Sequence, residues 1–330
     1  MKKIINKLLI LSFLLMTLSA NAQIKLIRPP YLQKGDTIIM VAPAGRLFGK
    51  QEALSKAKQL AESWGLHVLF SKYLFGNNHH FSGTIEERTF DFQKALDNPN
   101  IKAIWAGRGG YGTVHLLDKL DFTKFKQHPK WVIGYSDITA LHCHIHNLGF
   151  ETMHAMMGVN LGNQPEDIVA TITSFKKAIF GKKLKYEIPS SIYNRKGKAT
   201  GQLVGGNLSL IVSMLGSKSA ISTDGKILFI EDVGEQKYSI DRMLQTLKRA
   251  GYFNKTTALL VGDFSSVKPN NPLWGSTTEE LILKVVKDYD FPVFFGFPAG
   301  HKKDNRALLL GRTASINVCK DKTSTLVFKK

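Results

Sequence analysis

The segment from Trp131 to His146, WVIGYSDITALHCHIH, places a serine where a strand turns into a helix. Its first three residues are apolar and predict a buried strand that ends at Gly134. Ser136 follows in the turn, where the N-terminus of the next helix offers unsatisfied N–H groups and partial positive charge. A serine at this point can act as a nucleophile beside donors that stabilise an anion. It can equally be a simple N-cap, and this segment alone does not separate the two.

Two further strand ends carry groups that could assist such a serine. Glu231 and Asp232 directly follow the apolar run 226–230, where a carboxylate pair is costly unless it has partners or solvent. His301 lies in a loop bounded by glycine and proline after the apolar run 292–296, where a surface histidine is the alternative. Acyl transfer to serine needs a hydroxyl, an imidazole that takes its proton and a carboxylate that orients the imidazole.

The segment Gly107 to Gly112, GRGGYG, holds four glycines in six positions. So many glycines indicate positive φ angles or a close approach of the backbone, and bare N–H groups there could bind an oxyanion or a carboxylate. The signal is weak alone, because the spacing matches neither a dinucleotide-binding fingerprint nor a phosphate loop. A tight turn is the alternative.

The strands and helices that must position these groups alternate along the chain. Apolar runs predict strands, and helical periodicity predicts helices between them. The strands are expected at 37–42, 67–70, 101–105, 131–133, 226–230, 258–261 and 292–296, and the helices at 51–64, 81–96, 138–148, 165–180, 208–215, 239–250 and 277–288. This alternation predicts a parallel sheet covered on both faces, with Pro43, Gly107 and Ser136 along the edge where ligands bind. Because 181–200 has no clear periodicity, we expect one domain over residues 23–185 and a second over 186–330.

The first residues have the form of a secretory signal peptide. Three lysines precede an apolar run from Leu8 to Leu18, and Ala20-Asn21-Ala22 has the small-x-small pattern of a signal-peptidase site. We expect cleavage after Ala22 and export to the periplasm. A retained membrane anchor is disfavoured because the run is shorter than the roughly 20 residues that a spanning helix needs. No cysteine near the cut offers a lipid anchor.

The formal net charge of +19 falls to +16 without the three lysines of the leader, and it is spread along the chain. Nucleic acid is disfavoured as a partner because no Arg/Lys-rich tract with interleaved aromatic residues is present. A basic surface suits an anionic polymer or a substrate with several carboxylates. With 43% hydrophobic residues in 330, the chain can build two domains with sizeable cores.

Two other sets of reactive side chains have structural alternatives. Cys143 and Cys319 could form a disulfide in an oxidising compartment or remain buried free thiols. His142 and His146 are one helical turn apart with His144 between them, yet no acidic or cysteine ligand follows at a suitable spacing. We therefore expect no metal and no other cofactor, and we expect these histidines to be solvated.

Taken together, several segments resemble the LD-carboxypeptidase family, which includes muropeptide LD-carboxypeptidases and microcin-immunity peptidases. They occur in order over nearly the whole chain after the leader, and they are specific as a set although each is weak alone. The matching segments are VAPAG at 41–45, RGGYG at 108–112, IGYSDITALH at 133–142, GGNL at 205–208, LFIEDVGE at 228–235, YSIDRML at 238–244, and GH at 300–301 followed by Asn305.

The resemblance implies a serine peptidase in which Ser136 is the nucleophile, Glu231 the acid and His301 the base. It implies an oxyanion hole made by the N–H groups of Asp137 and of the Gly109–Gly110 pair. The implied fold is a flavodoxin-like N-terminal α/β domain with a parallel sheet, joined to a smaller β-rich C-terminal domain, with the active site in the cleft between them. The implied reaction removes a terminal D-amino acid from peptidoglycan peptides, murein tetrapeptide to tripeptide. The alternative is cleavage of peptide-nucleotide antibiotics.

One segment departs from the family, whose members commonly carry an HGPM-like sequence where this chain has His154-Ala155-Met156-Met157. We therefore expect a different wall of the substrate pocket.

Two other classes of protein are alternatives. An α/β-hydrolase shares the chain order of serine, acid and histidine, but Ser136 lacks the second glycine of GxSxG. An exported wall-binding protein without catalytic activity is the other, and it is disfavoured because such a protein would not need an intact triad. Whether the protein is a monomer or a homodimer is left open.

Overall fold

The computed structural model describes residues 26–329, so the predicted signal peptide at 1–22 lies outside the described residues. The strands are β1 (Thr37–Val41), β2 (His67–Phe70), β3 (Ile101–Ala106), β4 (Trp131–Gly134), β5 (Thr152–His154), β6 (Lys185–Ile188), β7 (Gly197–Asn207), β8 (Ile227–Val233), β9 (Ala258–Ser265), β10 (Val293–Phe294), β11 (Leu308–Leu310), β12 (Thr313–Val318) and β13 (Ser324–Phe328). The α-helices are α1 (Gln51–Ser63), α2 (Ile85–Asp97), α3 (Thr123–Gln127), α4 (Thr139–Asn147), α5 (Val169–Ile179), α6 (Leu208–Ser213), α7 (Lys237–Arg249) and α8 (Thr278–Val285). Within this part of the chain, no helix is long and apolar enough to cross a membrane.

The first sheet has the strand order β2-β1-β3-β4-β5-β11, and all of its pairs are parallel except β5 with β11. The order 2-1-3-4-5 is that of flavodoxin-like folds. Alternate residues of β3 face opposite sides: Trp105 packs in the core layer that contains α1 and α5, and Ile104 packs in the layer that contains α2, α3 and α4. The predicted parallel sheet with helices on both faces is confirmed.

The second sheet has the order β10-β9-β8-β7-β12-β13-β6. Its strands β7 to β10 are parallel, and β12, β13 and β6 are antiparallel. The predicted class, an α/β domain followed by a second domain rich in strands, is therefore confirmed. The two sheets share one core, since Trp105 and Met153 of the first lie in the same cluster of buried residues as Phe229 and Leu260 of the second.

The chain crosses between the sheets near its end, where β11 lies in the first sheet and β12 in the second. A buried ion pair fixes this crossing: Arg312 Nε donates to Glu151 Oε1 at 2.7 Å. The backbone is bonded as well, because Gly311 N donates to Leu203 O at 2.7 Å. The second domain is thereby held in one position against the edge of the first sheet.

Several elements differ from the prediction. Glu231 and Asp232 lie inside β8 rather than after it, and Pro165–Ile168 is a 3₁₀ turn that precedes α5. Strand β7 includes a glycine-rich stretch in which a strand was not predicted. Its glycines allow a close approach to β8, since a methyl group on Gly205 would lie 2.0 Å from Phe229 O. Strands β5, β6, β11, β12 and β13 were also not predicted.

Candidate active site

Ser136 lies in the sharp turn between β4 and α4, at the first residue of the 3₁₀ turn Ser136–Ile138. Its φ angle is 62°, in the left-handed region that non-glycine residues seldom adopt and that is often found at functional sites. The turn is tight because Gly134 has no side chain: a methyl group there would lie 2.8 Å from Ile138 Cγ1. The predicted strand, turn and helix around Ser136 are therefore present.

The glycine-rich loop after β3 lies directly against Ser136. A methyl group on Gly109 would be 3.1 Å from Ser136 Oγ and 3.4 Å from the backbone nitrogen of Asp137. Gly110 has a φ angle of 115°, which favours glycine. Gly45, in the loop after β1, donates its N–H to Gly109 O at 3.0 Å. The loops after β1, β3 and β4 thus meet at the carboxyl edge of the first sheet.

Two buried charged side chains hold these loops together. Arg88 of α2 donates from Nη1 to Pro43 O at 2.7 Å and to Gly112 O at 2.9 Å, which joins the loops after β1 and β3. Asp137 is fully buried, and its Oδ2 accepts from Thr113 N at 2.8 Å. The side chain of Asp137 is thus engaged in holding the loop, and only its backbone N–H is available for the predicted oxyanion hole. Arg88 was not predicted, because a charged residue in an amphipathic helix is usually exposed.

Glu231 and His301 form a hydrogen bond of 2.7 Å between Oε2 and Nδ1. A carboxylate only accepts, so Nδ1 carries the hydrogen and Nε2 of the neutral ring is the site that can take a proton. Glu231 is completely buried near the end of β8, and the His301 side chain is 16% exposed. Of the predicted groups, the acid and the base are therefore in direct contact.

The pKa of His301 results from opposing effects. Burial alone would lower the pKa, but the hydrogen bond and charge of Glu231, with the charges of Asp232 and Asp263, outweigh it and raise the pKa above its usual value. The imidazolium form is thus stabilised in place. The neutral ring that can accept a proton dominates only above this raised pKa.

Two contacts bring the acid and the base to the nucleophile turn. The ring of His301 packs edge-on against Tyr135, the residue before Ser136, with 5.2 Å between ring centroids. Asn207, which pairs with Glu231 across β7 and β8, donates its N–H to Thr139 Oγ1 at 3.0 Å, at the start of α4. Ser136, Glu231 and His301 therefore lie at one junction between the two domains.

A support for the histidine loop was not recognised from the sequence. Asn305 Oδ1 accepts from Gly300 N at 3.0 Å and lies 3.2 Å from Nε2 of His154, at the end of β5. Both side chains are fully buried, and burial lowers the pKa of His154 to about 3, so this ring is neutral and donates from Nε2. The segment that departs from the family pattern thus reaches the loop that carries His301.

Asp232 follows Glu231 in the chain, but its hydrogen-bond partners are different. Its Oδ1 accepts from Asn207 Nδ2 and its Oδ2 from the N–H of Ser209, both at 3.0 Å. Burial, and then the charge of Glu231, raise the pKa of Asp232 to about 6. Of the adjacent carboxylates, only Glu231 bonds to the imidazole.

The expectation that the histidines of α4 are solvated was wrong. His142, His144 and His146 are all buried, because the second domain covers this helix. His142 Nε2 lies 2.9 Å from Gly134 O, His144 Nδ1 lies 2.8 Å from Ser219 Oγ, and burial lowers the pKa of His142 and of His146 to about 4. Over residues 26–329, no group of three or more His, Cys, Asp or Glu side chains could hold a metal ion.

Both cysteines are free thiols. Cys143 packs in the apolar core of the second domain, and burial raises its pKa to about 12, while Cys319 is half-buried. Cys143 is therefore an apolar packing residue at neutral pH.

Comparisons with known proteins agree with this architecture. Two family models match the chain, the LD-carboxypeptidase N-terminal domain over residues 38–155 and the LD-carboxypeptidase C-terminal domain over residues 200–316. A probable murein peptide carboxypeptidase of Bacillus subtilis (strain 168) is 35% identical over 304 residues, which cover 91% of this chain and 94% of that protein. The muramoyltetrapeptide carboxypeptidase from Oxalobacter formigenes has a similar structure, with a TM-score of 0.79 and 27% identity over 89% of this chain and 99% of its own. The microcin C7 self-immunity protein in its wild-type apo state has a TM-score of 0.83 and 25% identity over 92% of this chain and 98% of its own.

We predict that Glu231→Gln lowers the pKa of His301. The substitution removes the charge that stabilises the imidazolium and keeps the size of the side chain, so that burial acts with less opposition. NMR titration of histidine-labelled protein measures this pKa, with His301→Gln to assign the resonance. Glu62→Gln, which changes an exposed carboxylate of α1, is the matched control and should leave the titration unchanged. An equal pKa in wild type and Glu231→Gln would contradict the assignment of Glu231 as the partner of His301.

Proposed function

Because the chain belongs to the LD-carboxypeptidase family, we propose that it hydrolyses the amide bond to the terminal D-amino acid of peptidoglycan peptides, converting murein tetrapeptide to tripeptide. Ser136, His301 and Glu231 act as nucleophile, base and orienting acid. The observation that carries this proposal is the 2.7 Å hydrogen bond between His301 and the buried Glu231, next to the strained turn that presents Ser136.

The first step of the reaction forms a tetrahedral intermediate. Ser136 Oγ attacks the carbonyl carbon while His301 Nε2 takes the hydroxyl proton. Glu231 remains ionised, holds the ring through Nδ1 and stabilises the imidazolium. The oxyanion accepts hydrogen bonds from the N–H groups of Asp137 and of the Gly109–Gly110 pair, and one such donor stabilises the transition state by about 3 kcal/mol.

The remaining steps release both products. The tetrahedral intermediate collapses, the C–N bond breaks, and His301 gives its proton to the leaving amino group, so that the D-amino acid departs and an acyl-enzyme remains on Ser136. Water then attacks the acyl-enzyme with His301 again as base. The tripeptide leaves with a free carboxylate, and the Ser136 hydroxyl is restored.

The choice of substrate is supported by the relatives and by charge. Two relatives are named for murein or muramoyl peptides, and the one in Bacillus subtilis is 35% identical to this chain. The net charge of +16 after residue 22 would attract peptides that carry several carboxylates. The microcin C7 self-immunity protein shares the fold at 25% identity, so cleavage of a peptide-nucleotide antibiotic is the second candidate.

We predict that purified protein releases alanine from a muropeptide tetrapeptide that ends in D-alanine, and releases none from the L-alanine isomer or from the corresponding pentapeptide. Ser136→Ala should lower the rate by several powers of ten, because loss of a triad nucleophile leaves only the binding and oxyanion contributions. Mass spectrometry of released alanine measures the rate. Ser63→Ala, at an exposed serine of α1, is the control and should retain full activity.

Other outcomes would contradict the proposal in distinct ways. Near-full activity of Ser136→Ala would exclude Ser136 as the nucleophile. Cleavage of the L-isomer alone, or of no muropeptide, would exclude the substrate. Faster cleavage of a peptide-nucleotide conjugate than of the tetrapeptide would favour the second candidate.

We also propose that the protein is exported and acts in the periplasm, where peptidoglycan and its turnover products are found. The support is the leader sequence with its small-x-small site at Ala20 to Ala22. N-terminal sequencing of the exported protein should begin at Gln23, and bulky residues in place of Ala20 and Ala22 should leave the leader attached. An intact Met1 on active protein in the soluble cytosolic fraction would refute export.

A further inference from the structure

A carboxypeptidase must recognise the free carboxylate at the end of its substrate, and the reaction geometry restricts where that carboxylate can lie. In the leaving amino acid, three bonds separate the scissile carbonyl carbon from the carboxylate carbon, a distance of at most about 4 Å. If Ser136 attacks that carbonyl, the carboxylate lies within a few ångströms of the nucleophile. Any group that binds it must border the loops around Ser136.

Arg108 borders this space. It precedes Gly109, whose added methyl group would lie 3.1 Å from Ser136 Oγ. A methyl group on Gly45 would lie 3.6 Å from Arg108 Nε and 3.6 Å from Gly110 Cα, so the Arg108 side chain and the glycine pair border the same small volume. Arg108 is half-buried, which limits competition from solvent without removing access.

The guanidinium of Arg108 is oriented but not neutralised. Its Nη1 donates to the backbone carbonyl of Arg46 at 2.9 Å, which fixes the side chain across the loop after β1. Among the residues the structure describes, no carboxylate lies within ion-pair distance of Arg108, although twelve other ion pairs are present. A positive group held in place without an anionic partner is suited to an anionic ligand.

Four other cations near the junction have partners elsewhere. Arg46, which follows Gly45, is exposed, donates from Nη1 to Asn77 Oδ1 at 3.4 Å and lies over the ring of Phe48. Arg88 is buried and donates to the carbonyls of Pro43 and Gly112. Lys302, which follows His301, forms an ion pair of 2.9 Å with Asp263. Arg306 forms an ion pair with Asp304. Arg108 is therefore the best-placed cation for an anion beside Ser136.

We propose that Arg108 binds the terminal carboxylate of the substrate and so restricts cleavage to the last amide bond of the peptide. This inference rests on the proposed function and identifies a specificity-determining residue for it. The guanidinium offers several N–H donors in one plane, which match the two oxygens of a carboxylate better than the single ammonium group of lysine. An internal peptide bond has no charge at this place and leaves Arg108 without its partner.

The test compares two substrates that differ only at this group: a tetrapeptide with a free C-terminal D-alanine and the same peptide with a C-terminal carboxamide. Arg108→Gln should lower kcat/KM for the acid by about 10- to 100-fold, the range for a hydrogen bond to a charged group. It should leave kcat/KM for the carboxamide unchanged. For the acid, the loss should appear mainly as a higher KM. Arg108→Lys should recover part of the loss, and Lys119→Gln, which removes an exposed charge of the same domain, should have no effect.

Binding provides a second readout that does not need turnover. In a Ser136→Ala background, calorimetry should show that Arg108→Gln weakens binding of the acid and not of the carboxamide. An equal loss on both substrates would mean that Arg108 only holds the loop. An unchanged preference for the acid would mean that another group binds the terminal carboxylate. Either result overturns this inference while the proposed function stands. If the wild type releases neither alanine from the acid nor alaninamide from the carboxamide, the proposed function fails and the inference fails with it.

Discussion

The hydrogen bond between Glu231 and His301 is the interaction on which the site depends. An ionised carboxylate that is completely buried costs several kcal/mol unless a charged or hydrogen-bonding partner compensates it, and the imidazole is that partner. Close packing makes the contact possible. A methyl group on Gly262 would lie 2.3 Å from Ala299 O, and one on Gly300 would lie 3.1 Å from Glu231 Oε2. Gly262 lies in β9 and Gly300 faces Glu231 of β8, so the loop that carries His301 can approach these two strands only because glycines stand at these two positions.

The parallel strands of the two sheets position the rest of the site. The carboxyl ends of β1, β3 and β4 present the loops around Ser136, and the carboxyl ends of β7 and β8 present Asn207 and Glu231. A shared core and the contact between Asn207 and Thr139 hold the two edges together. The nucleophile and its acid can therefore lie on different domains without losing their geometry. Ser136 and His301 lie in loops and Glu231 lies near the end of β8, before the edge, and the buried strands hold all three in position.

The sequence alone predicted the parallel strands that are continuous apolar runs, and it predicted the turn at Ser136 because Gly134 interrupts one of these runs. The parallel strand β7 was missed because its second half is rich in glycine. Strands β5 and β11 were missed because each is only three residues long and each is defined by its pairing with strands that are distant in sequence, β5 with β4 and β11, and β11 with β5. The histidines of α4 were placed in solvent because helical periodicity does not show that a second domain packs on the polar face of a helix. Arg88 was missed for a related reason, since its partners are backbone carbonyls from distant loops, which no residue pattern displays.

The central claim is that Ser136 is a nucleophile activated by His301. A fluorophosphonate probe tests it most directly, because such a reagent forms a stable covalent bond only with an activated serine. Mass spectrometry of the digested protein should place the adduct on Ser136, and His301→Ala should abolish labelling while the protein stays folded. An adduct on another serine, or undiminished labelling of Ser136 in His301→Ala, would contradict the account.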